Sequence, residues 1–228
     1  MNVTRHQIAA TIDHTLLAAQ ATLEEIDRLC DEAREHGFFA VCLNPIHVAR
    51  AKRRLIGSQV KVATVAGFPL GATRSDVKAD EARRAIDDGA DEIDMVVALG
   101  HLVAGDAVHV RQDIEAVAHA VHGGGRGRIL KVILETAALT PDQIILGCRC
   151  AAEGEADFVK TSTGFHPSGG ATVEAVRLLH RHASPLKVKA SGGIRDLAAL
   201  TTMLEAGASR IGTSSGVKIM REAANAAS

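Results

Sequence analysis

The sequence predicts a (β/α)8 barrel, on three observations. Roughly eight short apolar runs alternate with amphipathic, helix-like stretches along the whole chain. Each run is nearly continuous in apolar residues rather than alternating, as parallel strands buried on both faces require. A joint of glycine, small residue and acid or serine recurs before strands, at Gly89-Ala90-Asp91, at Gly207-Ala208-Ser209 and loosely at Gly154. A doubly wound open sheet is the alternative, and no Gly-x-Gly-x-x-Gly follows the first strand to favour it.

The elements follow in order. After a short amino-terminal helix, Thr11 to Leu17 reads as the first strand. Thr22 with Glu25 is a capping box opening a helix through Glu35, ended by Gly37. Phe38 to Leu43 is a strand, and Pro45 starts a helix to Leu55. Lys61 to Ala66 is a strand, followed by the turn Gly67-Phe68-Pro69-Leu70-Gly71 and a long helix to Asp88. Glu92 to Val96 is a strand, Asp106 to His122 a helix, and Ile129 to Leu134 a strand after three glycines. Pro141 opens a helix to Glu153, which leads to the strand carrying Lys160. Thr172 to His182, Ile194 to Ala206 and the carboxyl-terminal stretch are helical, separated by strands over Leu186 to Ser191 and Arg210 to Thr213.

At 228 residues and 46% apolar content, residues 1–228 suffice for a single domain with one sizeable core. A formal net charge of −1 gives no electrostatic reason to expect nucleic acid or an anionic membrane, and Lys52-Arg53-Arg54 and Arg126-Gly127-Arg128 read as solvated faces. The chain has no tryptophan or tyrosine to stack on bases, and no apolar run near the roughly 18 residues that span a bilayer. Four cysteines without framework spacing, and a start without a charged-then-apolar leader, point to a reducing cytoplasm. The nearest histidine pairs, His119 with His122 and His180 with His182, come without a third ligand and read as exposed helix histidines.

Chemistry concentrates in Phe158-Val159-Lys160-Thr161-Ser162-Thr163-Gly164-Phe165, where a buried strand delivers a lysine to its carboxyl end. Such a lysine costs several kcal/mol unless paired, neutral or chemically employed. Asp94 and Lys189 end two other buried strands in the same way, and barrels collect their chemistry on that face. By strand parity Glu92 and Lys187 lie a layer deeper, where they are expected to neutralise each other. A neighbouring ammonium from Lys189 depresses the pKa of Lys160 and leaves an amine able to attack a carbonyl. Gly192-Gly193 after the seventh strand, and Ser214-Ser215-Gly216 after the eighth, stand where barrels hold phosphate, and Gly169-Gly170 adds to them. Two other readings fit these residues: a barrel isomerase or lyase without a covalent intermediate, and a sugar-phosphate-binding barrel without catalysis.

Several long motifs, in order, carry a resemblance: Ile12-Asp13-His14-Thr15, Val41-Cys42, Gly67-Phe68-Pro69-Leu70-Gly71, Glu92-Ile93-Asp94-Met95-Val96, Lys131-Val132-Ile133-Leu134-Glu135-Thr136, Val159 to Phe165, Lys189 to Arg195 and Gly212 to Gly216. Over nearly its whole length the chain resembles the deoxyribose-phosphate aldolase family. The resemblance implies a class I aldolase barrel that reversibly cleaves 2-deoxy-D-ribose 5-phosphate to glyceraldehyde 3-phosphate and acetaldehyde, without cofactor or metal, as a cytoplasmic homo-oligomer. It implies Lys160 as the Schiff-base lysine, with Asp94 and Lys189 each acting as proton donor or acceptor. Gly164, Gly192, Gly193, Ser214 and Ser215 then bind the substrate and its phosphate, and Asp13, Thr15, Cys42, Lys131 and Glu135 line or support the mouth. Two features depart from the family pattern. Some relatives end in a tyrosine where this chain ends in Asn225-Ala226-Ala227-Ser228, and some carry a lysine where it has Phe165.

Overall fold

A computed structural model describes residues 4–125 and 127–226. Arg126 of the second basic run, and Ala227 and Ser228 at the carboxyl end, lie outside the described residues. The strands are β1 (Ile12–Leu16), β2 (Ala40–Leu43), β3 (Lys61–Ala66), β4 (Glu92–Val96), β5 (Ile129–Ile133), β6 (Phe158–Lys160), β7 (Lys187–Ser191) and β8 (Arg210–Thr213). Each pairs in parallel with the next, and β8 returns to β1, so the sheet closes as a barrel. The helices are α1 (Arg5–Ala9), α2 (Leu23–His36), α3 (Val48–Arg54), α4 (Ser75–Asp87), α5 (Leu99–Val103), α6 (Ala107–Gly123), α7 (Pro141–Glu153), α8 (Val173–His182), α9 (Leu197–Glu205) and α10 (Gly216–Ala226).

Local chemistry accounts for the boundaries. Thr4, Thr22 and Thr140 each make reciprocal capping boxes, and Asp106, Thr172 and Asp196 cap three more helices. The cap at Asp196 moves the start of α9 to Leu197, later than the expected Ile194. Helix α2 buries Ile26, Leu29, Cys30 and Ala33, one stripe at helical spacing, and ends at Gly37 in the left-handed region at φ 68°.

The repeated joint works through its polar residue. Asp91 and Asp157 accept the backbone N–H of Val62 and Leu130 on the preceding strands, at 3.0 and 2.8 Å. Gly89 and Gly207 supply the left-handed turn before two strands, whereas before β6 the residue at positive φ is Glu155, not Gly154. His122, one of the histidines weighed for metal, instead meets Asp157 at 3.1 Å. Lys52 and Arg54 pair with Asp91 and Asp31 at the surface.

Two interiors result. The larger lies between strands and helices and is mainly apolar, with the buried Lys78–Asp113 pair set into it. Inside the barrel, an apolar half made by Leu17, Ala40, Cys42, Ala63 and Val65 occupies the side of β2 and β3. The other half is ionic: Asp13, Glu92, Asp94, Lys131, Lys160, Lys189 and Arg210, all buried.

Candidate active site

Strand register sets the ionic half. Asp94 stands beside Lys131, Lys160 beside Lys189, and Lys189 beside Arg210. Asp94 Oδ2 accepts hydrogen bonds from Lys160 Nζ at 2.8 Å and Lys189 Nζ at 2.7 Å, while Oδ1 accepts from Lys131 Nζ at 2.7 Å. Lys131 also lies 2.6 Å from Glu92, and Lys189 2.5 Å from Asp13. Arg210 closes the circuit by pairing with both Asp13 and Glu92 while its guanidinium stacks 3.6 Å from the Phe39 ring centroid.

The circuit holds three carboxylates against four basic groups, so one proton is surplus to neutrality. Of the four basic groups, Lys160 is the one whose proton is held less tightly than usual. Burial is the main influence lowering its amine below the ordinary lysine range; Asp94 opposes, and the Lys189 ammonium adds to burial. The lowering expected from Lys189 is present, and burial, the larger influence, adds to it. Burial also works against the charge on Lys189 and on Lys131, but their carboxylate partners outweigh it and raise both. Burial pushes the Asp94 carboxyl up, yet Lys131, Lys160 and Lys189 together hold it well below the usual carboxylate range.

Access separates the lysines as well. A cavity of about 320 Å³ opens at the carboxyl ends of the strands and is lined by Lys160, but not by Lys131 or Lys189. Thr15, Gly164, Gly192, Gly193 and Ser214 line it too. Ser215 does not; its backbone N–H donates to Thr213 Oγ1 at 2.9 Å on the approach to α10. Gly170 lies against Gly192 as a buttress, and a Cβ on Gly192, at φ 89°, would sit 2.9 Å from Gly170 Cα.

The supporting residues take distinct places. Asp13 and Lys131 bind Lys189 and Asp94 from below, away from the cavity. Cys42 fills the apolar half of the barrel, its thiol pushed up by burial. Glu135, itself at φ 61°, accepts the Thr163 hydroxyl at 2.5 Å and its backbone N–H at 3.2 Å, fixing the loop that carries Gly164 and Phe165. Phe165 is half exposed and meets Phe68 edge to face at 5.3 Å beside the mouth.

The expected deep pair does not form. Glu92 binds Lys131 and Arg210, and Lys187 stands exposed at the start of β7 with its ammonium 5.8 Å from the Phe158 ring centroid. The reason is the stagger of tilted strands, which sets Glu92 above the rim and Lys187 on it. Sequence reasoning also missed Thr163, Ser191 and Arg195 on the cavity wall and Arg210 beneath it. Arg195 follows directly after Gly192-Gly193-Ile194, and that adjacency to a predicted anion loop was the available signal.

Comparison with known proteins identifies the family. The family model described as DeoC/LacD family aldolase matches residues 7–223. A deoxyribose-phosphate aldolase of Thermococcus gammatolerans is 54% identical over 96% of this chain and 97% of its own, and one of Brevibacillus brevis is 53% identical over 92% and 93%. The tetrameric deoxyribose phosphate aldolase of Aeropyrum pernix superposes with a TM-score of 0.88 at 33% identity, over 96% of this chain and 91% of the other. A closed eight-stranded parallel barrel, a family-model match over residues 7–223 and relatives more than half identical over nearly the whole chain together establish that the chain belongs to the DeoC/LacD family of aldolases.

Proposed function

We propose that residues 1–228 form one barrel domain that reversibly cleaves 2-deoxy-D-ribose 5-phosphate to D-glyceraldehyde 3-phosphate and acetaldehyde, with Lys160 as the covalent catalyst. One observation carries the reading: of the three lysines around Asp94, Lys160 is the one whose amine is lowered and the one that lines the cavity. The uncharged amine adds to C1 of the open-chain sugar, and loss of water gives the iminium. That cation draws electrons from the C2–C3 bond as the C3 hydroxyl loses its proton to ionised Asp94, directly or through one water. Glyceraldehyde 3-phosphate leaves. Lys189, held cationic by Asp13 and Asp94, returns a proton to C2 of the enamine, and water then hydrolyses the second iminium to acetaldehyde.

The phosphate is held by the backbone N–H groups of Gly164, Gly192 and Gly193 and by Ser214, with Ser215 at the start of α10. Gly192 and Gly193 at φ 89° and 83° suit a loop whose amides face an anion, and Arg195 on the same wall adds the positive charge that Phe165 cannot. The phosphate end then anchors the sugar so that C1 reaches Lys160.

The protein works as a cytoplasmic homo-oligomer, dimer or tetramer, apart from membranes and nucleic acid. The tetrameric relative supports this, as do exposed Ile46, Ile56 and Leu70 on the outer surface and the absence, among the described residues, of any helix long and apolar enough to cross a membrane. Acetaldehyde with borohydride tests the central step: an ethyl adduct mapping to Lys160, and loss of both adduct and retro-aldol turnover in Lys160→Arg, are expected. An unmodified Lys160 in active protein overturns the covalent route.

A further inference from the structure

We propose that His101, Asp106 and His109 form a site for a divalent transition metal of the zinc class, at the turn from α5 to α6. Neither the aldol chemistry nor the spacing of the histidine pairs discussed above accounts for this group. Among the described residues it is the one group of three or more histidine, cysteine and acidic side chains gathered closely enough to share an ion, each offering a ligand atom within 4.8 Å of the others.

The backbone builds the group. Gly105, at φ 77°, reverses the chain after α5, and the Asp106 N–H donates to the His101 carbonyl at 2.9 Å. Asp106 then caps α6 through Oδ1, which accepts the His109 N–H at 3.1 Å, leaving Oδ2 to meet His101 Nδ1 at 3.0 Å. The cap places His109 in the first turn of α6 with its ring stacked on that of His101, centroids 3.6 Å apart and planes 12° from parallel. Gln143 of α7 secures the preceding segment by donating to the Val103 carbonyl at 3.0 Å. Two imidazoles and a carboxylate are thus held together by the Gly105 turn, the cap through Oδ1, the His101 contact with Oδ2 and the ring stack.

The donor set selects the ion. Two nitrogens and one oxygen, with a fourth position open to water, suit Zn²⁺ and its neighbours in the transition series, whereas Mg²⁺ and Ca²⁺ require more oxygen. A tetrahedral Zn²⁺ holds its ligand atoms about 3.3 Å apart, so the atoms must close by no more than about 1.5 Å. His101 and Asp106 are exposed and His109 is half-buried, so the rings can turn out of their stack to point their lone pairs at one centre. Binding replaces the His101–Asp106 hydrogen bond with two metal bonds, and Asp106 keeps its cap through the other oxygen. Thiolates do not compete: all four cysteines are buried, and burial pushes the Cys30 and Cys148 thiols up to about 12.

The ion would staple α5, which follows β4 and its Asp94 directly, to the first turn of α6. Its role is therefore bracing of one connection at the carboxyl rim, separate from the Lys160 chemistry.

Calorimetric titration of the chelator-treated full chain with ZnCl2 tests the proposal. One saturable equivalent is expected, weakened about tenfold or more in His101→Ala and in His109→Ala and less in Asp106→Asn, which retains the cap. The melting temperature of the parent should rise with Zn²⁺ and that of His109→Ala should not. Ring signals of His101 and His109 in two-dimensional NMR of the parent give a readout independent of any variant, and both should shift on addition of one equivalent. No saturable uptake, or uptake that leaves those signals and both histidine variants unaffected, overturns the site.

Discussion

Two buried lysines in this protein meet carboxylates at about the same distance and do different things. Lys78 of α4 lies in the helical layer, donating to Asp113 at 2.7 Å and to the Val96 carbonyl at 3.0 Å. Lys160 lies in the barrel, donating to Asp94 at 2.8 Å. Burial is the foremost influence lowering both amines. The difference lies in the partners and the opening. Among the described residues Lys78 is the only basic group on Asp113, whose oxygens also take the Ser75 hydroxyl and the Ala98 N–H, and the pair is sealed. Asp94 is shared by three lysines, two of which are held cationic, and the third faces a cavity. Burial makes a lysine costly; in the proposed mechanism, a surplus of positive charge and an open route make Lys160 the nucleophile.

The largest expected effect contrasts the two lysines directly. Lys160→Met should reduce turnover by on the order of 10⁴-fold or more and abolish borohydride trapping. Lys78→Met leaves a buried carboxylate unpaired and should cost about 3–5 kcal/mol in urea unfolding, yet its folded fraction should still form the Lys160 adduct. A folded Lys78→Met protein that cannot be trapped would break the distinction.

The acids offer a smaller contrast. Asp94→Asn should lower kcat by about 10²- to 10³-fold, because it removes the proton acceptor and the charge that positions Lys160. Asp113→Asn should leave kcat per folded molecule within about twofold and show its loss in stability alone.

The smallest effect concerns the cationic neighbour. Trapping requires the neutral amine, so its rate rises as pH passes upward through the lowered pKa of Lys160. Lys189→Leu removes an ammonium that adds to burial, so the amine stays protonated to higher pH and the trapping profile should move upward. An unchanged profile would mean that burial acts alone. The corresponding profile for chemical modification of Lys78 should not respond to Lys189→Leu.

Much of the barrel was legible because its signals are local. The alternation of apolar runs with capped amphipathic helices, and the recurrent joint of glycine, small residue and acid or serine, fall within windows of a few residues. Lys160, Asp94 and Lys189 were legible because each stands near the end of a buried strand, and parallel strands in one barrel aim those ends the same way. Short α5 was not read, since five residues after a strand carry no periodicity. The trio of His101, Asp106 and His109 escaped for a related reason: its spacing crosses a turn, and only the left-handed Gly105 folds the histidines onto each other.

By itself the amino-acid order determined that eight buried strands alternate with helices and that an acid and two bases end three of them. Only the tertiary structure decided which charge meets which. Glu92 found Lys131 and Arg210 instead of Lys187, and Lys160 became the lysine beside a cavity while Lys131 and Lys189 were sealed beneath it. The physical reason is that hydrophobic pattern and turn chemistry act between near neighbours, whereas ion pairing inside a closed barrel depends on strand stagger and on the balance of all charges taken from water together.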